Sequence, residues 1–502
     1  MAGADRSVLI AGGGPAGTST AIALAASGLE VELIDRAHFP RPRIGESLPP
    51  KIAPALAALG VLEAVEAAGF TRMKGTTVVQ GPSISRHDFD PLGRHSGWQV
   101  DRGRFDQLLL ERAKALGVAV TEGEAALAPI LDGERVAGLW VRRSDGAEAE
   151  RRAGMTVDAT GGSALLGRAL GLRKREDVRT VALAAEWTGA RGPDDLPPEN
   201  TLFELLEDGW IWSVLKADGR RNVTLGLDAK QVKARDSLPL ELYRERVTQS
   251  RSIGPLLAHA ALDSELSAWD ATGFSAREVI GPGWIVAGDA SSVIDPLTSQ
   301  GVYKAIQSGL AAAAVIRTLL LRPESKALAE RYFRETEREL FARYAEIALS
   351  FYRASPFLHR PFWSTRLDPA RLPHSSTEAA PELCAARREA FLERVRSLGG
   401  QRLHLRADPR LRVEERPAAE GGFVVTRPAI ITPEGEVLPL PGGTERADPR
   451  VLLPLLDGRA MARIFDDYAA ISGEPPCAEL GRRLIAALAV IEERAWLSVG
   501  TS

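Results

Sequence analysis

The sequence predicts an α/β protein with a parallel sheet near its N-terminus, an antiparallel sheet in its middle and a small α+β domain at its C-terminus. Three observations support this class. A short apolar strand, a glycine-rich turn and an apolar helix follow one another between Val8 and Ala25. The segment from Val181 to Leu227 is strand-like, with turn signals between its strands. The last hundred residues combine short strand patterns with three helical patterns.

The glycine-rich turn predicts a phosphate-binding site. Gly12 lets the chain turn out of the strand, Gly14 lets backbone approach a pyrophosphate, and Gly17 lets the helix pack closely on the strand. Pro15 and Ala16 lie between them, where a helix start offers free N–H groups and a partial positive charge to phosphate oxygens. The alternative interpretation is a glycine turn without a ligand.

An acid at the end of the second predicted strand supports the ligand. Val31–Asp35 is a strand pattern, and Asp35 lies 18 residues after Gly17. At this position a carboxylate accepts from both hydroxyls of an adenosine ribose. Strand, glycine turn, helix, strand and acid together predict a Rossmann-like dinucleotide-binding fold.

A second glycine-containing element predicts the other end of the same ligand. Asp289 directly follows an apolar strand pattern that begins at Trp284, and Gly301 and Val302 begin a long helix pattern. An acid there accepts from polyol hydroxyls, and a helix start donates N–H groups to an electron-rich ring edge or an anion. A ligand that reaches both elements is long and two-ended, which favours FAD over NAD. The alternative for Asp289 is a helix or turn cap.

Composition excludes several function classes. The chain has 502 residues, 45% of them hydrophobic, a net charge of -3 and a pI near 6.3, so no global field favours nucleic acid or an acidic membrane. Two cysteines without metal-ligand spacing predict neither a disulfide framework nor a metal site and fit a reducing cytoplasm. We find no signal peptide pattern, and the apolar stretch Leu310–Leu321 is short and contains Arg317, so we expect no membrane span.

Further motifs extend the pattern beyond the two glycine elements. They occur in this order: Arg43-Ile-Gly-Glu-Ser, Gln99-Val-Asp-Arg, Asp158-Ala-Thr-Gly, Trp210-Ile-Trp and Gly288-Asp-Ala with Asp295-Pro-Leu-Thr-Ser-Gln-Gly. With the first glycine turn they resemble the single-component flavoprotein monooxygenases and the related flavin-dependent halogenases, over about residues 5 to 350. The resemblance implies a p-hydroxybenzoate-hydroxylase-like fold, in which the antiparallel sheet covers the substrate face of the flavin.

The resemblance also implies which residues contact FAD and substrate. Asp289 would lie at the ribityl chain, and the cofactor contacts would include Arg36, Arg43, Glu46, Ser47, Arg102, Asp158 and Gly161. The candidate catalytic residues are Trp210, Trp212, Lys74, Pro296 and Ser299. The resemblance further implies that reduced FAD and O₂ give a flavin C4a-hydroperoxide, that the electrons come from a flavin reductase or NAD(P)H, and that the substrate is an aromatic small molecule or a peptide- or protein-borne aromatic.

The branch of the family depends on two motifs. Trp210-Ile-Trp212 is similar to the halogenase signature WxWxIP but lacks its proline, and two core tryptophans on one strand face are the alternative. Halogenases of phenolic substrates carry a lysine two residues before a glycine, and alignment on Gly75 places Met73 there. The neighbouring Lys74 would point to the opposite face, where a solvated lysine is the alternative role.

We therefore expect an FAD-dependent monooxygenase that hydroxylates an indole or phenol. Three segments look closer to halogenase-like monooxygenases of tryptophylquinone cofactor biogenesis, which hydroxylate a tryptophan carried in another protein: Glu46-Ser-Leu-Pro-Pro, Gly209-Trp-Ile-Trp-Ser and Pro296-Leu-Thr-Ser-Gln-Gly. The alternatives are a flavin-dependent halogenase and a non-catalytic FAD-binding maturation chaperone.

The predicted domains are discontinuous. Residues 1-80, 98-178 and 275-322 form the FAD-binding domain, 81-97 and 179-274 the substrate-covering sheet, 323-404 a helical region, and 405-502 a small winged-helix-like domain. In the last, the patterns predict helices over Pro449–Leu456, Gly458–Tyr468 and Glu479–Arg494. This domain resembles leader-peptide-binding modules, and a packing or dimerisation domain is the alternative.

Overall fold

The computed structural model describes residues 6–89, 96–175, 178–191, 197–233, 238–367, 395, 403–432, 437–438, 448–472, 478–493 and 497–501. The chain forms two compact units, Met1–Pro373 and His374–Ser502. Strands β1 to β29 and helices α1 to α14 are numbered in chain order.

A six-stranded sheet forms the base of the first unit and confirms the predicted α/β class. In spatial order its strands are Ile280–Gly281 (β21), Trp284–Val286 (β22), Met155–Asp158 (β12), Val8–Ala11 (β1), Val31–Asp35 (β2) and Ala119–Glu122 (β8). All neighbours are parallel except β21 and β22. Because the carboxyl ends of parallel strands meet at one edge, the loops after β1, β2, β12 and β22 lie together there.

The first unit contains eleven α-helices among the described residues. Their bounds are Pro15–Ala25 (α1), Ala53–Ala58 (α2), Leu62–Ala67 (α3), Arg102–Ala115 (α4), Leu165–Ala169 (α5), Ala229–Lys233 (α6), Pro239–Gln249 (α7), Ile253–Leu257 (α8), Gly301–Leu321 (α9), Lys326–Ala354 (α10) and Pro361–Ser364 (α11). Helix α1 packs between α4 and α9. By length and composition α9 would suffice to cross a membrane, and 67% of its most apolar stretch is buried inside this fold.

The predicted sheet over Val181–Leu227 is part of an eight-stranded sheet. Its strands are Ala261–Leu262 (β18), Thr180–Thr188 (β14), Arg221–Asp228 (β17), Gly209–Leu215 (β16), Asn200–Leu206 (β15), Gly75–Gln80 (β5) and Ser83–Asp88 (β6), with Ser267–Asp270 (β19) also paired to β14. The pairs within β14 to β17 are antiparallel, as predicted, but β5 and β15 are parallel. The FAD-binding domain was predicted to run to residue 80. Its last six residues, Gly75–Gln80, form β5, which is a strand of the eight-stranded sheet.

Three small sheets complete the first unit. They contain Ser47–Leu48 (β3), Gly97–Gln99 (β7) and Thr71–Met73 (β4); Ala125–Asp132 (β9), Arg135–Arg142 (β10) and Glu148–Arg152 (β11); and Arg173–Arg175 (β13), Phe274–Ala276 (β20) and Ser292–Val293 (β23). The predicted helical region is represented by α10 and α11, and its remainder, 368–394 and 396–402, lies outside the described residues.

The second unit has its own core. Its strands are Leu403–Ala407 (β24), Arg412–Glu420 (β25), Phe423–Ile431 (β26), Val437–Leu438 (β27), Asp457–Ala460 (β28) and Leu497–Thr501 (β29), and its helices are Pro449–Leu455 (α12), Met461–Ser472 (α13) and Ala478–Glu493 (α14). The helix predicted from Gly458 begins at Met461 instead, because Asp457–Ala460 pairs with β24. A winged-helix relationship stays a prediction.

Candidate functional site

A cavity of about 470 Å³ lies against the carboxyl edge of the parallel sheet and one face of the eight-stranded sheet. The structure brings most of the sequence-predicted site residues to its wall: Gly12, Gly14, Pro15, Ala16, Asp35, Arg36, Arg43, Glu46, Ser47, Arg102, Gly161, Trp210, Trp212, Asp289, Pro296, Ser299, Gly301 and Val302. It does not bring Gly17, Lys74 or Asp158 there.

A larger cavity of about 680 Å³ lies at the turn between β15 and β16. Four of its charged side chains form two ion pairs, Arg246 with Asp208 and Arg360 with Glu207. The cavity at the glycine turn is the better candidate site, because its charges are less completely paired.

The three glycines of the turn have separate steric roles. Gly12 has φ 108°, and a Cβ there would lie 2.3 Å from the carbonyl oxygen of Ala159. A Cβ on Gly17 would lie 1.9 Å from the carbonyl oxygen of Gly12, so Gly17 packs behind the turn. A Cβ on Gly14 would meet only the Arg41 guanidinium, at 3.6 Å, which leaves the cavity side open. This matches the division of roles in dinucleotide-binding turns.

Asp35 holds the turn as well as lining the cavity. Its Oδ2 accepts from the Gly13 N–H at 2.7 Å, and its Oδ1 accepts from the Ala37 N–H at 2.8 Å. Each carboxylate oxygen has a second lone pair, so both remain able to accept from ribose hydroxyls.

Three arginines lie beside the turn, and two of them share one carboxylate. Arg102 donates to both oxygens of the buried Asp106 at 3.1 Å, and Arg41 pairs with the same carboxylate at 3.2 Å. Arg43 lies 4.8 Å from the centre of the Trp269 ring and forms no ion pair with any described residue. Burial, followed by repulsion from Arg102 and Arg41, lowers the pKa of Arg43. The surplus positive charge fits a pyrophosphate.

Asp158 lies behind the cavity wall, in contrast to the contact that the resemblance implied. It accepts from the N–H and hydroxyl of Thr160 and from the Leu166 N–H, at 2.7 to 3.0 Å. Burial raises its pKa. These bonds hold the loop that presents Thr160 and Gly161 to the cavity. Asp158 therefore positions these two residues and does not line the cavity itself.

The loop that carries Asp289 is held by residues that sequence reasoning missed. Lys304, fully buried, donates to the carbonyl oxygens of Gly288 and Ser292, and Ser308 accepts from the Gly288 N–H at 2.7 Å. Both side chains come from α9, four residues apart and therefore on one helix face. The sequence contained one signal for this role, because Lys304 interrupts the apolar pattern of α9.

Aromatic side chains form the wall opposite the parallel sheet. Trp210 and Trp212 occupy one face of β16, and both are buried. The indole ring of Trp210 lies against its cross-strand neighbour Gly226 on β17. A Cβ at Gly226 would be 2.1 Å from that ring, so only glycine leaves room for it. The ring of Phe203 is 6.3 Å away, and Trp363 of α11 extends the same cluster. No pattern in the sequence predicted that α11 would pack against this wall.

The segment before α9 is held by Asp295. This buried carboxylate accepts from the Leu297 N–H at 3.0 Å and from the Tyr352 hydroxyl at 2.5 Å, and burial raises its pKa. Ser299 adopts the left-handed conformation with φ 53°. Gln300, the N-cap of α9, makes no side-chain capping hydrogen bond, so the first N–H groups of the helix remain available at the cavity wall.

Met73 and Lys74 lie outside the cavity wall. Lys74 is 64% exposed and pairs with Glu199 at 3.3 Å. Met73 is buried, and its sulfur accepts from the Thr201 hydroxyl at 3.7 Å, while that hydroxyl is 2.7 Å from the Ser47 hydroxyl. None of the described residues that line the cavity is a lysine.

Glu46 is a titratable group within the cavity. It is 5% exposed, and its carboxylate accepts from the Gly45 N–H at 3.0 Å. Burial raises the pKa of Glu46 to about 7, although backbone hydrogen bonds, Arg102 and Lys216 oppose the shift. A carboxyl group with this pKa can give or take a proton near neutral pH.

The Glu46 pKa predicts a pH-dependent stability difference between the wild type and Glu46→Gln. The folded-state pKa is raised, so the stability associated with the protonated form is present below pH 4.5 and lost as pH rises toward 7. The glutamine cannot ionise. We expect Glu46→Gln to gain about 3 kcal/mol relative to wild type between pH 4.5 and 8, measured by denaturant unfolding of the FAD-free protein. A difference that is constant with pH would contradict this.

Comparisons with known proteins agree with this geometry. The family model described as "FAD binding domain" matches residues 5–346. A Chondromyces crocatus tryptophan 2-halogenase is 33% identical over 367 residues, covering 72% of this chain and 70% of that protein. These matches establish FAD as the cofactor, and the glycine turn, Asp35 and arginine cluster provide a site that fits it.

Two solved structures share the fold over nearly the whole chain. CmlS, a flavin-dependent halogenase, has a TM-score of 0.78 and 24% identity, covering 99% of this chain and 96% of its own. The peptidyl tryptophan dihydroxylase QhpG, essential for tryptophylquinone cofactor biogenesis, has a TM-score of 0.67 and 25% identity, covering 98% and 99%.

Proposed function

Since this chain belongs to the FAD-binding-domain family, within the superfamily of flavin-dependent halogenases and monooxygenases, we propose that it halogenates an electron-rich aromatic substrate. The relatives support this alternative better than the hydroxylation that we expected from the sequence. The observation that carries the proposal is 33% identity to a tryptophan 2-halogenase, combined with an uncapped helix start at the cavity wall.

The chain's own residues would hold the cofactor at both ends. Asp35 accepts from the adenosine ribose, the cluster of Arg41, Arg43 and Arg102 neutralises the pyrophosphate, and Asp289 accepts from the ribityl chain. When bound and reduced, FAD supplies two electrons for the activation of dioxygen.

The aromatic wall would keep the oxidant away from water. Trp210, Trp212 and Phe203 belong to an apolar cluster that extends to Tyr352 and Trp363. An apolar wall excludes water from the site and so limits hydrolysis of a reactive species before it meets the substrate ring.

The start of α9 would bind halide. Gly301 and Val302 line the cavity, and the N–H groups of an uncapped helix start attract an anion. In the balanced reaction, substrate ring, halide, dioxygen, two protons and anionic reduced FAD (FADH⁻) would give the halogenated ring, two waters and oxidised FAD. Glu46 lines the same cavity and can hold one of the protons that this reaction consumes.

Hydroxylation is the second candidate, because Met73 occupies the position of the halogenase lysine. Without an amine in the cavity, one oxygen atom would pass directly to the ring and the other would leave as water. QhpG, a peptidyl tryptophan dihydroxylase, matches 98% of this chain and supports the same candidate.

Product mass decides between these chemistries. The purified enzyme with reduced FAD, O₂ and excess bromide is given free tryptophan, a tryptophan-containing peptide or a phenol, with methionine present to trap free hypohalous acid. We expect products with the bromine isotope pattern. Products heavier only by oxygen would establish hydroxylation. If no product forms and substrate does not change the rate at which reduced FAD is reoxidised, a non-catalytic FAD-binding chaperone is favoured.

A further inference from the structure

Lys304 is a fully buried lysine that neither the cofactor contacts nor the aromatic wall explains. It is 0% exposed and lies on α9 between two residues that line the cavity, Val302 and Ala305. Among the described residues it forms no ion pair. A buried ammonium without a carboxylate partner is costly, so its presence calls for a compensating interaction.

The compensating interaction is with the loop that presents Asp289. The Lys304 ammonium donates to the carbonyl oxygen of Gly288 at 2.6 Å and to that of Ser292. These two carbonyls lie on either side of Asp289 in the chain. The loop is therefore tied to α9 on both sides of the residue that faces the cofactor.

Two neighbouring bonds hold the same loop without adding positive charge. Ser308 accepts from the Gly288 N–H at 2.7 Å, and Ser291 donates to Gly288 at 2.8 Å and contacts Glu337 of α10. Ser308 and Lys304 perform the same mechanical task from one face of α9. Only Lys304 carries a charge.

That charge interacts with two carboxylates but forms no ion pair with either of them among the described residues. Burial lowers the pKa of Lys304, and the attraction of the nearby Glu337 and Asp289 opposes the shift. Asp289, Val302 and Ala305 form the cavity wall, so the ammonium lies directly behind the part of the wall assigned to the flavin. In an interior of low dielectric, a fixed positive charge favours negative charge nearby.

We propose that Lys304 is a positioning residue with two effects on bound FAD: it fixes the Asp289 loop, and its charge raises the reduction potential of the cofactor. Reduction of the flavin by two electrons with uptake of one proton adds one net negative charge. A positive charge behind the wall stabilises the reduced form more than the oxidised form, and the potential rises accordingly.

Three variants separate the two effects. Lys304→Gln keeps an N–H donor for the loop but removes the charge. Ser308→Ala removes a loop bond and keeps the charge. Lys304→Met removes both the charge and the donors. Each purified holoprotein is titrated with oxidised FAD by fluorescence, and its reduction potential is measured by equilibration with a redox dye under anaerobic conditions.

For Lys304→Gln we expect near-normal binding of oxidised FAD and a lower reduction potential. The ratio of affinities for reduced and oxidised FAD should fall about ten-fold, the size of a unit charge roughly 10 Å away at an effective dielectric constant of about 20. Ser308→Ala should weaken FAD binding without changing the potential, and Lys304→Met should show both effects. An unchanged potential in Lys304→Gln, or equal falls in Lys304→Gln and Ser308→Ala, would overturn the electrostatic role.

Discussion

Gly17→Ala is expected to lower FAD affinity on the order of 100-fold and to destabilise the protein by about 1–3 kcal/mol. The new Cβ would lie 1.9 Å from the Gly12 carbonyl oxygen, a backbone atom that cannot move without reshaping the turn. The measurements are FAD titration by fluorescence and denaturant unfolding with and without FAD.

Two other glycines provide matched controls. The Cβ introduced by Gly14→Ala has room, because only the flexible Arg41 guanidinium lies within 4 Å of it. Gly14 lines the cavity, so the added methyl group reduces the space between the turn and a bound pyrophosphate. We expect normal stability and weaker FAD binding. Gly167→Ala in α5 makes an ordinary 3.4 Å contact and should change neither property. Full FAD affinity in Gly17→Ala would show that the turn is not the phosphate site.

The cofactor half of the site was predictable because its signals are local. Strand, glycines, helix and terminal acid lie within about 30 residues of sequence, and each has its own steric or electrostatic reason. The same applies to Asp289 and Gly301, which follow one strand and begin one helix. The structure places Gly12, Gly14, Asp35, Asp289 and Gly301 around a single cavity, with Gly17 packed behind the turn.

The supporting residues were not predictable because their partners are distant in sequence. Asp106 becomes important only when Arg41 comes to the same carboxylate as Arg102. Asp158 carries a family motif, yet its carboxylate accepts three hydrogen bonds from its own loop. Such outcomes depend on the tertiary arrangement, which a motif does not encode.

The substrate half was only partly predictable for the same reason. The alternation of β16 correctly placed Trp210 and Trp212 on one face. It could not show that α10 and α11 add Tyr352 and Trp363 to the same cluster. Nor could alternation show that β5 joins this sheet in parallel to β15, because parallel pairing depends on a distant connection.

Met73→Lys is expected to shift the products toward halogenation, whichever reaction predominates in the wild type. Met73 is buried one layer behind the cavity wall, where Thr201 contacts its sulfur and Ser47 lies next to Thr201. An unbranched lysine has the shape of methionine with a longer reach, and its ammonium would find the Ser47 and Thr201 hydroxyls as acceptors. Ser47 and Glu46 line the cavity, so the amine would be brought to its edge.

The experiment compares the fraction of brominated product among all products from the same aromatic peptide, at equal FAD occupancy. We expect the ratio of brominated to hydroxylated product to be about ten-fold higher than in Met73→Leu, equivalent to ~1.4 kcal/mol between the two outcomes. Met73→Leu keeps the volume without an amine and should behave like the wild type. Lys74→Ala should also do so, because Lys74 is 64% exposed and pairs with Glu199 away from the cavity. If Met73→Lys leaves the fraction unchanged while Lys74→Ala abolishes bromination, the exposed lysine is the one that handles the halogen, and β4 must shift by one residue during turnover.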